Sequence, residues 1–198
     1  MRYQAIATIL LAAGRSSRLG QPKQLLRQAG ETLVRLMTQM ALSLNAGPVV
    51  VVVGANEGLI RAEIADFSVQ ILQNEQWETG MASSLQAGLR SLAHEPVDAF
   101  LVLLTDQPHV TSDLLKQLID TRQQSGRGIV GCQYGEPDFI GVPALFDIGY
   151  LPAFMNLTGD TGARKLIRQY ADDCAIIPFP LGSVDLDTPD DLANWQNG

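Results

Sequence analysis

Residues 5–23 read AIATILLAAGRSSRLGQPK, and the fold turns on how that stretch divides. Ala5–Leu11 is an apolar, β-branched run without period-2 alternation. A strand with one wet face alternates apolar and polar residues. A strand covered on both faces by helices reads as one hydrophobic run. From Ala12 onward small residues and charges take over, so the strand ends in a loop. Five more runs of the same kind follow: Pro48–Val53, Val69–Leu72, Ala99–Leu104, Gly128–Cys132 and Cys174–Phe179. Helical patterns lie between them. Glu31–Leu44 repeats apolar residues near a 3.6 interval, and Met81–Leu92 carries Leu85, Leu89 and Leu92 on one face. Thr111 or Ser112 can cap a helix through Gln123, and Gly162–Tyr170 and Pro189–Trp195 complete the set. Alternating strands and helices predict an α/β fold: a three-layer, Rossmann-like, mostly parallel sheet. The stretch Gln133–Pro143 holds two Gly and two Pro and reads as a loop.

The chain has 198 residues, which fits one domain spanning 1–198. With 46 % hydrophobic and 18 % charged residues it is too apolar for a disordered chain. A net charge of −7 and no run of more than two adjacent Lys/Arg argue against nucleic acid as a partner. Cys132 and Cys174 form neither a disulfide framework nor a C-x-x-C metal site, and read as core thiols in a reduced compartment. No segment reaches the ~18 apolar residues of a membrane span. Met1–Leu11 reads as a first strand rather than a signal peptide, so a cytoplasmic location is expected.

In open parallel sheets, ligands sit at the carboxyl ends of the strands. In the loop after the first strand, the small residues Ala12, Ala13 and Gly14 admit close approach of the backbone to a ligand. Ser16 and Ser17 add hydroxyls, and Arg18 and Lys23 add two cations. Backbone N–H groups with two cations can make a triphosphate cradle, or the stretch is an ordinary strand-to-helix turn with solvated charges. The loop lacks G-x-x-x-x-G-K-[ST] and G-x-G-x-x-G, so neither a P-loop nor the usual dinucleotide site is expected. Asp106, in Thr105-Asp106-Gln107-Pro108, ends the most hydrophobic strand and is placed to meet a cation or to cap the turn. Before the helix at Met81, Thr79 or Gly80 can cap a helix N-terminus that offers free N–H groups. His94 is expected to be exposed, and His109 adjoins Asp106 without a chemical task that needs imidazole.

The spacing L-A-A-G-x-S-x-R-x-G-x-x-K over 11–23 resembles the nucleotide-binding loop of enzymes that transfer NMP from an NTP, of the nucleotide-diphospho-sugar transferase-like fold. G-M-x-S-S-L at 80–85, G-x-P-x-x-F at 141–146, L-x-G-D-x-G-A-R at 157–164 and D-L-D-T-P-D-D-L at 185–192 resemble the molybdenum-cofactor cytidylyltransferases of the MobA/MocA-like family. The resemblance runs from about Ala5 to Leu192. It implies transfer of CMP from CTP to the terminal phosphate of molybdopterin, with release of pyrophosphate. Arg18, Lys23 and Asp106 would be catalytic. Leu11, Ala12, Ala13, Gly14, Arg18, Lys23, Gly80, Met81, Ser83 and Ser84 would bind the nucleotide. Gly141, Pro143, Gly159, Asp160 and Arg164 would bind the acceptor. Asp106 and Asp187 would hold Mg²⁺, and a molybdenum hydroxylase would receive the product. L-A-A-G resembles the cytidine branch and L-A-G-G the guanosine branch, the difference falling at Ala13. A GTP-dependent guanylyltransferase, a sugar-phosphate nucleotidyltransferase and a non-catalytic molybdopterin-binding accessory protein remain as alternatives.

Overall fold

Every residue of β1 (Ile6–Ala12) is buried, and successive side chains of a strand point to opposite faces. Ile6, Leu10 and Ala12 pack on one side and Ala7, Ile9 and Leu11 on the other. That is the physical reason for the unbroken hydrophobic run. The structure is a computed structural model and describes residues 5–135, 139–184, 186, 191–193 and 195. After β1 come a short ribbon, β2 (Arg27–Gln28) and β3 (Glu31–Thr32), then α1 (Leu33–Ser43) and β4 (Val49–Val53). Next are α2 (Glu57–Glu63), β5 (Gln70–Gln73), α3 (Met81–Arg90) and β6 (Ala99–Leu104). The second half runs α4 (Ser112–Ser125), β7 (Ile129–Gln133), β8 (Ile140–Asp147), α5 (Leu151–Met155), α6 (Ala163–Gln169) and β9 (Cys174–Pro178).

Val34 and Met37 of α1, Ile60 of α2 and Leu114, Leu115 and Leu118 of α4 cover one face of the sheet. Leu85 and Leu89 of α3, Phe154 of α5 and Leu166 and Ile167 of α6 cover the other. The fold is therefore the three-layer α/β sandwich expected. The seven strands lie in the order β5-β4-β1-β6-β8-β7-β9. Only β8 is antiparallel to its neighbours. From β1 the chain moves outward to β4 and β5, then returns to the opposite side of β1 with β6. The carboxyl ends of β1 and β6 thus meet at a topological switch point, where the crossovers leave a crevice.

The second half corrects one expectation. Residues 140–143 are not loop but the start of β8. Pro143 fits inside the sheet because β7 pairs Cys132 with Gly141 and Gly131 with Ala144, so Val142 and Pro143 bulge out of the ladder. The missing proline N–H then costs no ladder bond. The Gln107 Nε2 donates to the freed Val142 carbonyl at 3.0 Å. The helix expected from Glu31 begins at Leu33, because Glu31 and Thr32 pair with β2. Thr111 does cap α4, accepting the Leu114 N–H at 3.2 Å, and Gly126 ends it at φ 66°. The short helix α2 carried no expectation. Leu186 is fully buried against Leu19, Leu26 and Leu33, bringing the far end of the chain onto the first loop.

Both cysteines are free thiols; burial pushes Cys132 up to about 12 and raises Cys174 as well. Among the described residues no helix is long and apolar enough to cross a membrane.

Asp173 ties three strands together. Its carboxylate accepts the Tyr150 hydroxyl at 2.6 Å and the Gly128 N–H at 3.1 Å. These two donors hold its carboxyl below the usual carboxylate range. A lowered native pKa contributes stability above the unfolded value that is lost as pH falls through the native one. Asp173→Asn should therefore flatten the acid limb of stability below about pH 4. Unfolding midpoints measured from pH 7 to pH 3 test this, and an unchanged acid limb contradicts it.

Candidate functional site

The loop leaving β1 is held by one buried amide. Gln24 is 3 % exposed, and its Nε2 donates to the carbonyls of Ala12 at 3.1 Å and Gly14 at 2.9 Å. The Ala55 N–H donates to the Ala13 carbonyl at 3.0 Å. With these carbonyls engaged, the planar trans peptides turn the N–H groups of Ala13 and Arg15 away from Gln24. Ser16 stands at φ 59°, and its Oγ accepts the Lys23 N–H at 3.0 Å. This closes the loop and fixes where the Lys23 side chain starts. The Lys23 Nζ then reaches Asp106 Oδ2 at 3.1 Å, across the switch point. The other oxygen, Asp106 Oδ1, is buried without a hydrogen-bond partner among the described residues.

The opposite wall is the start of α3. Gly80 is its N-cap at φ 113°. A Cβ there would lie 2.3 Å from the Gly159 carbonyl carbon. The Ala82 N–H donates to the Gly159 oxygen at 3.0 Å. Glycine is thus required at 80 for conformation and for close approach. Behind this turn the buried Asn74 side chain binds Ser83, Ser84 and the Gln76 N–H. Arg15 meets Glu78 at 3.0 Å and lies 5.1 Å from the Trp77 ring centre, linking the two walls at the surface. Both ionic side chains are exposed, so this pair adds little stability.

Two cavities open between these elements. The first, about 560 Å³, is lined by Leu11, Ala13, Gly14, Arg18, Lys23, Gly80, Met81, Ser84 and Asp106 among the expected residues. The second, about 500 Å³, is lined by Gly141, Asp160 and Arg164. Met81, Leu104 and Asp160 line both, so the chambers adjoin. Four expected residues line neither. Ala12 packs into the core. The Ser83 hydroxyl is turned to the Gln76 and Gly80 carbonyls. Pro143 sits in the β8 bulge, and Gly159 serves the α3 cap. Asp187 lies outside the described residues, as do residues 189, 190 and 194 of the stretch expected to be a helix. Neither histidine lines either cavity.

Several lining residues had no signal in the sequence. Gln24 reads there as an ordinary polar loop residue. Tyr134 and Phe139 wall the second cavity. The Arg164 guanidinium lies 3.5 Å from the Phe139 ring centre, and its Nε is buried without a partner. Lys165 and Arg168 add two more cations to that chamber. The first chamber therefore brings Arg15, Arg18 and Lys23 together with Glu78, Asp106 and Asp160, and the second sets Arg164, Lys165 and Arg168 beside an aromatic wall and the shared Asp160.

A divalent ion fits this donor set. Among the described residues no three His, Cys, Asp or Glu side chains converge, so there is no protein-only metal cage. Mg²⁺ asks instead for one or two carboxylates plus phosphate oxygens. The orphaned Asp106 oxygen beside Lys23 meets that requirement.

The family described as MobA-like NTP transferase domain matches residues 8–174. A relative named nicotine blue oxidoreductase, from Paenarthrobacter nicotinovorans, is 34 % identical over 171 residues, covering 83 % of this chain and 82 % of its own. The purine catabolism protein PucB of Bacillus subtilis is 28 % identical over 205 residues and 96 % of each chain. The crystal structure of Rv0371c from Mycobacterium tuberculosis superposes with a TM-score of 0.85 at 28 % identity, over 100 % of both chains. A manganese complex of that same protein superposes at 0.81 with 25 % identity, over 98 % of this chain and 100 % of the other.

Two substitutions test the architecture. Gly80→Ala forces a side chain onto the Gly159 carbonyl at a disfavoured φ, at a cost of roughly 1–3 kcal/mol or more. The unfolding midpoint should fall by about 2–12 °C, at ~2–4 °C per kcal/mol; an unchanged midpoint contradicts the packing. Gln24→Leu keeps the volume but strips the donor from two carbonyls, costing about 1–3 kcal/mol for each buried group left unpaired. Calorimetric titration of the variant with nucleoside triphosphates should show weaker binding, and parent-like affinity would mean the loop holds its shape without the clamp.

Proposed function

The chain belongs to the MobA-like NTP transferase domain family, and from that premise we propose that it is a Mg²⁺-dependent cytidylyltransferase. In this reading residues 1–198 act as one domain that moves CMP from CTP to the terminal phosphate of molybdopterin and releases pyrophosphate. The observation that carries it is the Asp106 carboxylate at the switch point, one oxygen 3.1 Å from Lys23 and the other buried and unpartnered.

The attacking group is a phosphate monoester, whose second pKa near ~6 leaves it ionised at neutral pH. No protein base is required, and neither histidine lines either cavity. The obstacle is one anion approaching another, so alignment and charge neutralisation must supply the rate. Arg18 and Lys23 offset the charge of the triphosphate and of the departing pyrophosphate. Asp106, with Asp187 as second ligand, would hold Mg²⁺, which lends positive charge to the α-phosphate. The Ala13 and Arg15 N–H groups face away from Gln24 and can meet the nucleotide. The shared walls at Met81, Leu104 and Asp160 let a donor in the first chamber meet an acceptor in the second.

The second chamber suits a flat anionic heterocycle. Tyr134 and Phe139 offer ring faces, and Arg164, Lys165 and Arg168 offer charge for a phosphate. Ala13 lines the first chamber, and its methyl would leave less room beside the base than a glycine would, which would suit a pyrimidine. One relative carries the name of an oxidoreductase. The first loop of this chain lacks G-x-G-x-x-G, and its cations beside a carboxylate suit triphosphate chemistry better than hydride transfer. A molybdenum hydroxylase is the proposed recipient of the product.

Asp106→Asn keeps the size and a hydrogen-bond acceptor for Lys23 but removes the charge. Pyrophosphate release from CTP in the presence of molybdopterin and Mg²⁺ should fall at least about 100-fold, as for loss of one electrostatic group at a reacting centre. The midpoint of unfolding should stay within a few degrees. Parent-like turnover in the variant would remove Asp106 from the chemistry.

A further inference from the structure

α3 opens with two adjacent serines, and a buried amide decides what each hydroxyl can do. Asn74 follows β5 and is 6 % exposed. Its Oδ1 accepts the Gln76 N–H at 3.0 Å. That contact fixes the orientation of the amide, so Nδ2 must face the helix. The two Nδ2 hydrogens go to Ser83 Oγ at 2.8 Å and Ser84 Oγ at 3.0 Å. Each serine oxygen is thereby an acceptor, and each must send its single proton elsewhere. Ser83 sends its proton to the Gln76 and Gly80 carbonyls, both at 2.9 Å. A helical serine often bonds back to the carbonyl four residues earlier. For Ser84 that carbonyl is Gly80, which Ser83 already engages. Among the described residues no acceptor takes the Ser84 proton, and Ser84 lines the first cavity.

We propose that Asn74 is a positioning residue for base selection: it commits the Ser84 hydroxyl to donate into the nucleotide chamber, toward an acceptor on the nucleobase. This rests on the nucleotidyl-transfer reading above. The edge of cytosine that carries N3 and O2 presents two adjacent acceptors. The N1–H and N2–H edge of guanine presents donors and would face the Ser84 proton donor to donor. The polarity of one hydroxyl, set from behind by an amide that never touches the ligand, thus contributes to the choice of base.

Asn74→Asp tests this by inverting polarity at nearly constant shape. One carboxylate oxygen still accepts the Gln76 N–H, and the other accepts where Nδ2 donated. Ser84 must then give its proton to residue 74 and turn a lone pair toward the base. Isothermal titration with CTP and Mg²⁺ is compared with tripolyphosphate, which has the charge but no base. Asn74→Asp should weaken CTP by about tenfold or more while leaving tripolyphosphate within about twofold. Ser84→Ala, which leaves Asn74 in place, should weaken CTP by about tenfold. The double variant should bind no worse than the weaker single one, since both act through the same hydroxyl. Parent-like CTP binding by either single variant overturns the proposal. So does a parallel loss of tripolyphosphate, or losses that multiply in the double variant. A parent that binds GTP and not CTP overturns the cytidylyl reading and this base selection together, whereas a parent that binds CTP with variants that bind it equally well overturns the role of Asn74 alone. A parent that binds no nucleoside triphosphate overturns both.

Discussion

The Lys23 ammonium lies 3.1 Å from Asp106 Oδ2, and the two side chains are only 12 % and 24 % exposed. A pair held this far from water attracts more strongly than one at the surface, where solvent screens the charges. Much of the surrounding structure brings these groups together. β6 returns beside β1 after two outward crossovers, so the residue after β6 faces the loop after β1. Gln24 and Ser16 shape that loop, and Gln107 anchors the turn beyond Asp106 to the β8 bulge. In the proposed function, a triphosphate entering between them would offer Lys23 a second anion and leave the Asp106 carboxylate available to a metal ion. The charges of the site are then rearranged rather than newly exposed.

The sheet was legible because burial on both faces leaves a plain trace. Val49–Val53 and Ala99–Leu104 can be apolar throughout only if helices cover each side, and they do. The strand ends were legible for the same reason: where the apolar run stops, the loop begins, and a parallel sheet collects those loops at one edge. Arg18, Lys23, Gly80, Met81, Ser84 and Asp106 line one cavity although they come from three separate stretches of chain.

What the sequence did not show depends on contacts between distant residues. β8 hides because Gly141 and Pro143 are turn formers by composition. Only the unpaired bulge and the Tyr134 hydroxyl, which occupies the space a Cβ at 141 would need, explain them within a strand. Gln24, Asn74 and Gln107 are polar residues at loop positions, where the default reading is solvation. Each is buried and bonded to backbone or serine groups outside its own turn, Gln107 to a carbonyl in β8. Ser83 and Ser84 are equivalent in sequence, and their different roles follow from the direction of two hydrogen bonds. Pairings of this kind leave no period and no motif.

Metal-dependent binding of a nucleoside triphosphate is the property on which the functional reading rests. The direct test is the unfolding midpoint with CTP, GTP, UTP and ATP, each with and without Mg²⁺. A ligand at ~100 times its dissociation constant stabilises by roughly 2.7 kcal/mol. For a chain of this size that is a rise of about 5–10 °C, at ~2–4 °C per kcal/mol. The expected result is a rise of that order with CTP that depends on Mg²⁺ and is absent in Asp106→Asn. No shift with any nucleotide, or a shift indifferent to metal and to Asp106, would contradict it.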